Sequence, residues 1–168
     1  MNMIRSGIGF DVHRLVRGRR LVLGGVEVHY EYGLEGHSDA DVLVHSIMDA
    51  ILGAMGKGDI GIHFPDNDPT YKDAVSMELL GKVFSWAKEE GFIINNLDCV
   101  IVAQRPKLFP YIAEMRRNIA MILEADEARI NIKATTTEGL GFCGRGEGIS
   151  AFSIVTMIKE QNDGYKTV

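Results

Sequence analysis

Apolar residues recur along this chain with two different periods, and the places where the period changes divide it into elements. From Arg19 to Tyr30 the stretches RLVL and VEVHY are β-prone, and Gly24-Gly25 between them supplies the positive φ angles of a two-residue hairpin turn. From Asp39 to Met55 the period becomes helical. Ser38 is the expected N-cap, Asp41 stands in the capping-box position, and Gly56 is the expected C′ residue. A second helix is expected over about residues 74–90, with Leu79, Leu80, Val83, Phe84 and Ala87 on one side and Gly91 at its end. Residues 92–104 read as a strand whose Val100-Ile101-Val102 run suits a buried position. Pro110 opens a third helix that carries Ile112, Met115, Ile119 and Ile122 inward, and residues 129–135 alternate as a strand should. Residues 148–158 suit either element, and their β-branched content favours strand. Hairpins among alternating strands and helices predict an α+β fold, a mixed or antiparallel sheet packed against helices, rather than a doubly wound sheet.

Length and composition narrow the class. A chain of 168 residues with no repeat, linker or low-complexity stretch is expected to be a single domain over residues 1–168. Pro65 and Pro69, then Pro106 and Pro110, mark two ordered loops. No apolar run approaches the roughly 18 residues of a membrane span. The N-terminal MNMIRSGIGFDVH carries neither an apolar signal core nor an Arg- and Ser-rich presequence. Cys99 and Cys143 cannot make a disulfide framework, so a reducing, cytoplasmic location is expected. A net charge of −5 speaks against broad nucleic-acid binding, which needs many Lys and Arg contacts to phosphate.

Candidate chemistry begins with the histidines. Asp11 and His13 are two apart in GFDVH, so on an extended backbone both emerge on one face while Val12 points the other way. His45 falls on the first helix, on a stripe with Asp41 and Asp49 opposite Leu43, Ile47, Ala50 and Ala54. An Asp, His, His set would make a three-ligand zinc site with the fourth position open to water or substrate. On residues alone D-x-H reads first as a surface pair and His45 as a hydrogen-bonded helix residue, since spacing does not bring the strand and helix together. GHSDAD places His37 and Ser38 at the expected start of a helix, where free N–H groups favour an anion. Residues 56–69 carry Asp59, Asp66 and Asp68 among glycines and prolines, either as turns or as holders of hydroxyls or a hydrated cation. AQRPKLFP combines Arg105 and Lys107 with two prolines, as a connector or a wrap around a nucleotide. In KATTTEGLGFCGRGEG, Thr135, Thr136 and Thr137 offer hydroxyls, Glu138 a carboxylate for a hard cation such as Mg²⁺, and Arg145 a charge for phosphate. That stretch matches neither G-x-x-x-x-G-K-[ST] nor G-x-G-x-x-G.

Taken together, GFDVHRL, GHSDADVLVHSIMDAILGAMGKGDIGIHFPD, AQRPKL and KATTTEGLGFCGRGEGI resemble one family, the 2-C-methyl-D-erythritol 2,4-cyclodiphosphate synthases of the non-mevalonate isoprenoid pathway. The resemblance runs from Ile4 to about Ile158. It implies that Asp11, His13 and His45 bind zinc or another divalent transition metal. It implies that Glu138 binds a second cation, Mg²⁺ or Mn²⁺, bridging the substrate diphosphate, and that His37 and Thr136 stabilise the transition state. Asp59, Ile60, Gly61, Phe64, Pro65, Asp66, Asn67 and Asp68 match the loop around the methylerythritol part, with Ser38 beside His37. Ala103, Gln104, Arg105, Pro106, Lys107, Leu108 and Phe109, with Thr135, Thr136 and Thr137, match the part that holds cytidine diphosphate. Phe142 and Arg145 also fall at matching positions. Cys143, Gly139 and Asn67 depart from the residues commoner in the family, and none of these removes a ligand. The family's arrangement implies a homotrimer with active sites between subunits and a central cavity for isoprenoid diphosphates.

The implied reaction converts 4-diphosphocytidyl-2-C-methyl-D-erythritol 2-phosphate to the cyclic diphosphate with release of CMP. A metal-dependent phosphohydrolase and a non-catalytic ligand-binding trimer are the competing expectations. The implied substrate carries three phosphates, so the acidic balance excludes nucleic acid but not one small polyanion met locally by cations, Arg145 and Lys107.

Overall fold

Met3–Arg17 form one long strand, β1, whose odd-numbered positions from Gly7 to His13 turn inward while Ile4, Ile8, Phe10 and Val12 face outward. The computed structural model describes residues 3–65, 67–71 and 73–159. After β1 come the hairpin strands β2 (Leu21–Leu23) and β3 (Val26–Val28), then β4 (Tyr32–Leu34). Gly24 and Gly25 take φ of 58° and 70°, the turn geometry read from the sequence. Helix α1 (Val42–Met55) leads into a one-turn helix α2 (Ile60–His63), and α3 spans Ser76–Glu89. Strand β5 (Phe92–Val102) is followed by a 3₁₀ turn over Phe109–Tyr111 and by α4 (Ile112–Ile122). Strand β6 (Ile130–Thr135), the short helix α5 (Gly141–Gly144) and strand β7 (Gly148–Lys159) complete the order.

The main sheet has the order β4-β1-β7-β5-β6, with only β5 and β6 parallel. This is the expected mixed α+β arrangement. α1 lies over β1 and β7, α4 against β6, and α3 against α1 and α4. Glycine sets the closeness of that layer. A Cβ on Gly7 would collide with the Ala50 carbonyl oxygen, and one on Gly9 with that of Ser46, so helix backbone rests directly on strand backbone. Ser46 and Ser153 hydroxyls meet 2.7 Å apart beneath it, beside the buried Cys99. Burial pushes that thiol up to about 12, leaving it an inert packing group.

Two details of α1 correct the sequence reading. The N-cap is Asp41, whose carboxylate accepts from Val44 N, and the helix begins at Val42. Ser38 lies in the preceding loop, where its Oγ accepts from Ala40 N. Asp41 prevails because it also accepts from the hairpin-turn amides Gly24 N (3.0 Å) and Gly25 N (2.8 Å), satisfying three donors at once. The stripe of Asp41, His45 and Asp49 is consequently not solvated. Asp41 is fully buried and His45 is 8% exposed.

Outward, Phe10 pairs with Phe152 across β1 and β7, their ring centroids 4.6 Å apart, and Ile8 pairs with Ile154. Ile8 is 68% and Ile154 52% exposed, so this face of the sheet is apolar and open.

Candidate active site

The glycine contacts decide where the chemistry lies. Because α1 runs against Gly7 and Gly9, its first turn comes down on the next inward positions of β1, Asp11 and His13. His45 therefore meets them. Asp11 Oδ2 is 3.0 Å from His13 Nε2 and 2.9 Å from His45 Nδ1, and the two ring nitrogens are 3.2 Å apart. Among the described residues this is the one His/Cys/Asp/Glu group with metal-ligand spacing. Burial raises the Asp11 carboxyl, but hydrogen bonds and the fields of His13 and His45 outweigh it and hold the group below the ordinary carboxylate range. His13 Nδ1 lies 2.6 Å from the Glu35 carbonyl oxygen, which can only accept. A neutral His13 thus carries its proton on Nδ1 and turns a lone pair on Nε2 toward Asp11 and His45. One carboxylate oxygen and two imidazoles, converging on one point, fit a divalent metal ion.

A cavity of about 210 Å³ opens beside this set, lined by His13 and His45 with His37, Ser38, Ile60, Gly61 and Phe64 among others. Sequence reading put His37 and Ser38 at the start of α1, with Ser38 as its N-cap; they sit instead in the loop before it, and Asp41 occupies the helix N-terminus that an anion would have used. The following loop is held by its own acids. Asp59 caps α2 through Ile62 N, and Asp68 accepts from Thr70 N. Phe64 is packed parallel to Trp86 at 5.8 Å and edge-on to Tyr71 at 5.3 Å, anchoring the loop against α3. Pro65 is half-buried and Asn67 exposed, while Asp66 lies outside the described residues.

The second group of predicted residues forms a different surface. Ala103, Gln104, Pro106, Lys107, Leu108, Phe109, Thr135 and Thr136 line a cavity of about 500 Å³ at the ends of β5 and β6, with Arg105 exposed at its margin. Thr136 Oγ1 donates to Glu138 Oε1 at 2.7 Å, and Gly139 N donates to Gln104 Oε1 at 3.2 Å. Thr137 Oγ1 donates to the Leu140 carbonyl across the same turn. Phe142 lies on α5, 41% exposed, and Arg145 is paired with Glu147 at 2.7 Å. The two cavities share no lining residue. Asp11, Ala151, Ile101 and Ala134 form one row across the sheet, which puts the donor set roughly 14 Å from β6, three strand spacings away.

Residues 4–158 match the family model described as the YgbB family. A 2-C-methyl-D-erythritol 2,4-cyclodiphosphate synthase from Halalkalibacterium halodurans is 59% identical over 157 residues, covering 94% of this chain and 100% of its own. The chain belongs to the YgbB family. Among solved structures, the bifunctional IspDF from Campylobacter jejuni superimposes with a TM-score of 0.92 at 49% identity, over 96% of this chain and 44% of that longer one. IspF of Plasmodium falciparum, described as a CDP complex, gives a TM-score of 0.83 at 34% identity over 96% and 99%. This YgbB chain also has neighbours at its site that sequence reading did not single out: Gly36, Met48, Tyr71 and Leu79 in the cavity wall, and Ser76, whose Oγ is 2.9 Å from His45 Nε2. Gly7 and Gly9 carried a readable signal, glycines spaced by two within a strand that leads into D-x-H. Ser76 carried none.

Proposed function

We propose that this chain, as a single synthase domain over residues 1–168, cyclises 4-diphosphocytidyl-2-C-methyl-D-erythritol 2-phosphate to 2-C-methyl-D-erythritol 2,4-cyclodiphosphate with release of CMP. The observation that carries the reading is the convergence of Asp11, His13 and His45 beside the cavity that His37, Ser38 and Phe64 line. The full-length match to synthases of that name and the CDP complex of a related structure support it.

An oxygen of the 2-phosphate attacks the β-phosphorus, and the bond from that phosphorus to the bridging oxygen of CMP breaks in line. The attacking group is already an anion, so neither a protein nucleophile nor a general base is required. What the chain must supply is position and relief of charge as two phosphates approach. Zinc held by Asp11, His13 and His45, and Mg²⁺ or Mn²⁺ held by Glu138, would supply Lewis-acid neutralisation of those phosphates when bound. His37 and Thr136 donate hydrogen bonds to oxygens that gain charge. Asp59 and the loop from Phe64 to Asp68 hold the polyol, and residues 103–109 with Thr135, Thr136 and Thr137 hold the cytidine diphosphate. Phe109, 89% exposed beside that cavity, offers a ring to stack on a base. Arg145 turns from Glu147 to phosphate.

We place the working site between chains. Two observations support this: the two cavities share no lining residue, and the donor set lies about three strand spacings from the β6 end that lines the second cavity. The open apolar face of β1 and β7 supports a homotrimer, whose centre would enclose a cavity suited to an isoprenoid diphosphate. No helix among the described residues is long and apolar enough to cross a membrane.

The test is incubation with the cytidyl substrate, Zn²⁺ and Mg²⁺, followed by phosphorus NMR. The expected products are CMP and the cyclic diphosphate, and His45→Ala should lower turnover by at least about a thousandfold. A linear product with free phosphate would mark a phosphohydrolase instead and overturn the reading.

A further inference from the structure

We propose that Ser76 and Asp39 form a relay that fixes the tautomer of His45 and thereby sets metal affinity; this rests on the reading of Asp11, His13 and His45 as a metal centre. Neither residue is a ligand, and they come from separate elements, Asp39 from the loop before α1 and Ser76 from the first position of α3. Ser76 Oγ donates to Asp39 Oδ1, and Ser76 N donates to Asp39 Oδ2 at 3.1 Å. An ionised carboxylate only accepts, so the single hydroxyl proton of Ser76 is committed to Asp39. Toward His45 Nε2, 2.9 Å away, Ser76 Oγ can then only accept. Ser38 Oγ, 3.3 Å from the same nitrogen, stands beside it.

The proton of His45 therefore sits on Nε2, and Nδ1 presents a lone pair toward Asp11 Oδ2 and His13 Nε2. His13 reaches the opposite tautomer through the Glu35 carbonyl. The centre needs both locks, because a proton on either inner nitrogen would occupy the space of the ion. The two differ in one useful respect. The His13 lock is a backbone carbonyl, out of reach of substitution, whereas the His45 lock is made of side chains. Ser76 is fully buried and is the nearer acceptor, so its loss leaves Nε2–H only the longer contact to Ser38 Oγ, at 3.3 Å. Asp39 N also donates to the Ala74 carbonyl at 3.1 Å, which ties the relay to the approach into α3.

The experiment measures zinc affinity by competition with a chromogenic chelator, and the visible spectrum of the Co²⁺-loaded protein, for the whole chain and for Ser76→Ala, Ser76→Thr, Asp39→Asn and His45→Ala. Ser76→Ala is expected to bind zinc 10–100-fold more weakly with an altered Co²⁺ spectrum, while Ser76→Thr, which restores the hydroxyl, stays within about threefold of the parent. Wild-type affinity in Ser76→Ala, or a Ser76→Thr as weak as Ser76→Ala, overturns the relay. Should Ser76→Ala not fold, Asp39→Asn decides: a tenfold or greater loss supports the relay, and unchanged affinity overturns it. If the parent chain and His45→Ala bind zinc equally, it is the metal-centre reading that fails.

Discussion

On the β1–α1 side of the molecule, Asp11, His13 and His45 hold their places because helix backbone lies on strand backbone at Gly7 and Gly9. On the β5–β6 side, Thr136 and Glu138 stand on an exposed turn whose polar groups bond to one another and to Gln104, and the same loop then carries Arg145 back beside β1, where Leu15 N donates to the Glu147 carbonyl. Glu138 itself has φ of 54°, and Gly139 and Gly141 follow at 79° and 66°, a run of left-handed positions fit for a turn rather than for a packed layer. The first region is preorganised within one chain. The second is exposed and held by the bonds of its own turns, in line with the site between chains proposed above. Rigidity is thus put where three donors must converge to a few tenths of an ångström, and open turns where a flexible diphosphate must enter.

The sharpest way to break this comparison is Gly9→Ala. Its Cβ would meet the Ser46 carbonyl, a backbone atom that cannot swing aside, so α1 must lift from β1. A loss above about 4 kcal/mol, or failure to fold, is expected in denaturant melts of the metal-free chain. Wild-type stability would show that helix and strand are not in contact as described. Next in size is a mixing experiment. His45→Ala and Glu138→Gln, each inactive alone, should recover roughly a quarter of parental turnover when dissociated and reassembled together, as random pairing of a good donor half with a good loop half predicts. If each site lies within one chain, no activity returns.

How much of this was legible depends on how local the cause is. The hairpin at Gly24-Gly25, the face of α3 and the shared face of Asp11 and His13 are set by neighbours in sequence, and each appears as read. The cap of α1 was misread because Asp41 gains from amides 16 and 17 residues upstream, which no local pattern weighs against Ser38. The convergence of His45 on Asp11 and His13 follows from close packing at two glycines. Those glycines were visible, but they become a cause only once a helix is known to lie on them. Ser76, at the start of a helix with no side-chain cap, had no sequence signature at all. The family resemblance supplied roles for Thr136, Glu138 and the 103–109 loop, whereas their residues alone left a turn and a connector open.

Asp41 sharpens the comparison through pH. Burial raises its carboxyl to about 6 against the help of the Gly25, Gly24 and Val44 amides, with Asp39 pushing the same way as burial. The folded chain therefore holds this proton more tightly than the unfolded chain does. Its contribution is fully present below about pH 4 and lost as pH rises through about 6, a fall on the order of 3 kcal/mol. Melts of the metal-free chain across that window should show the slope, and Asp41→Asn should remove it while costing about 1–3 kcal/mol for an impaired acceptor. A slope that persists in the variant would assign the titration elsewhere.

The smallest effect belongs to the open side. Gly139 also has a left-handed backbone, yet a Cβ there meets nothing within 4 Å, in contrast to Gly9. Gly139→Ala should lose only the conformational preference, about 1 kcal/mol or less, and keep the amide that donates to Gln104. Zinc affinity should not move, because the Gly139 amide bonds to Gln104 and not to the donor set. If Gly139→Ala instead weakens zinc binding or destabilises the chain as much as Gly9→Ala does, the turn is coupled to the β1–α1 layer within one chain, and the division of labour between the two halves is wrong.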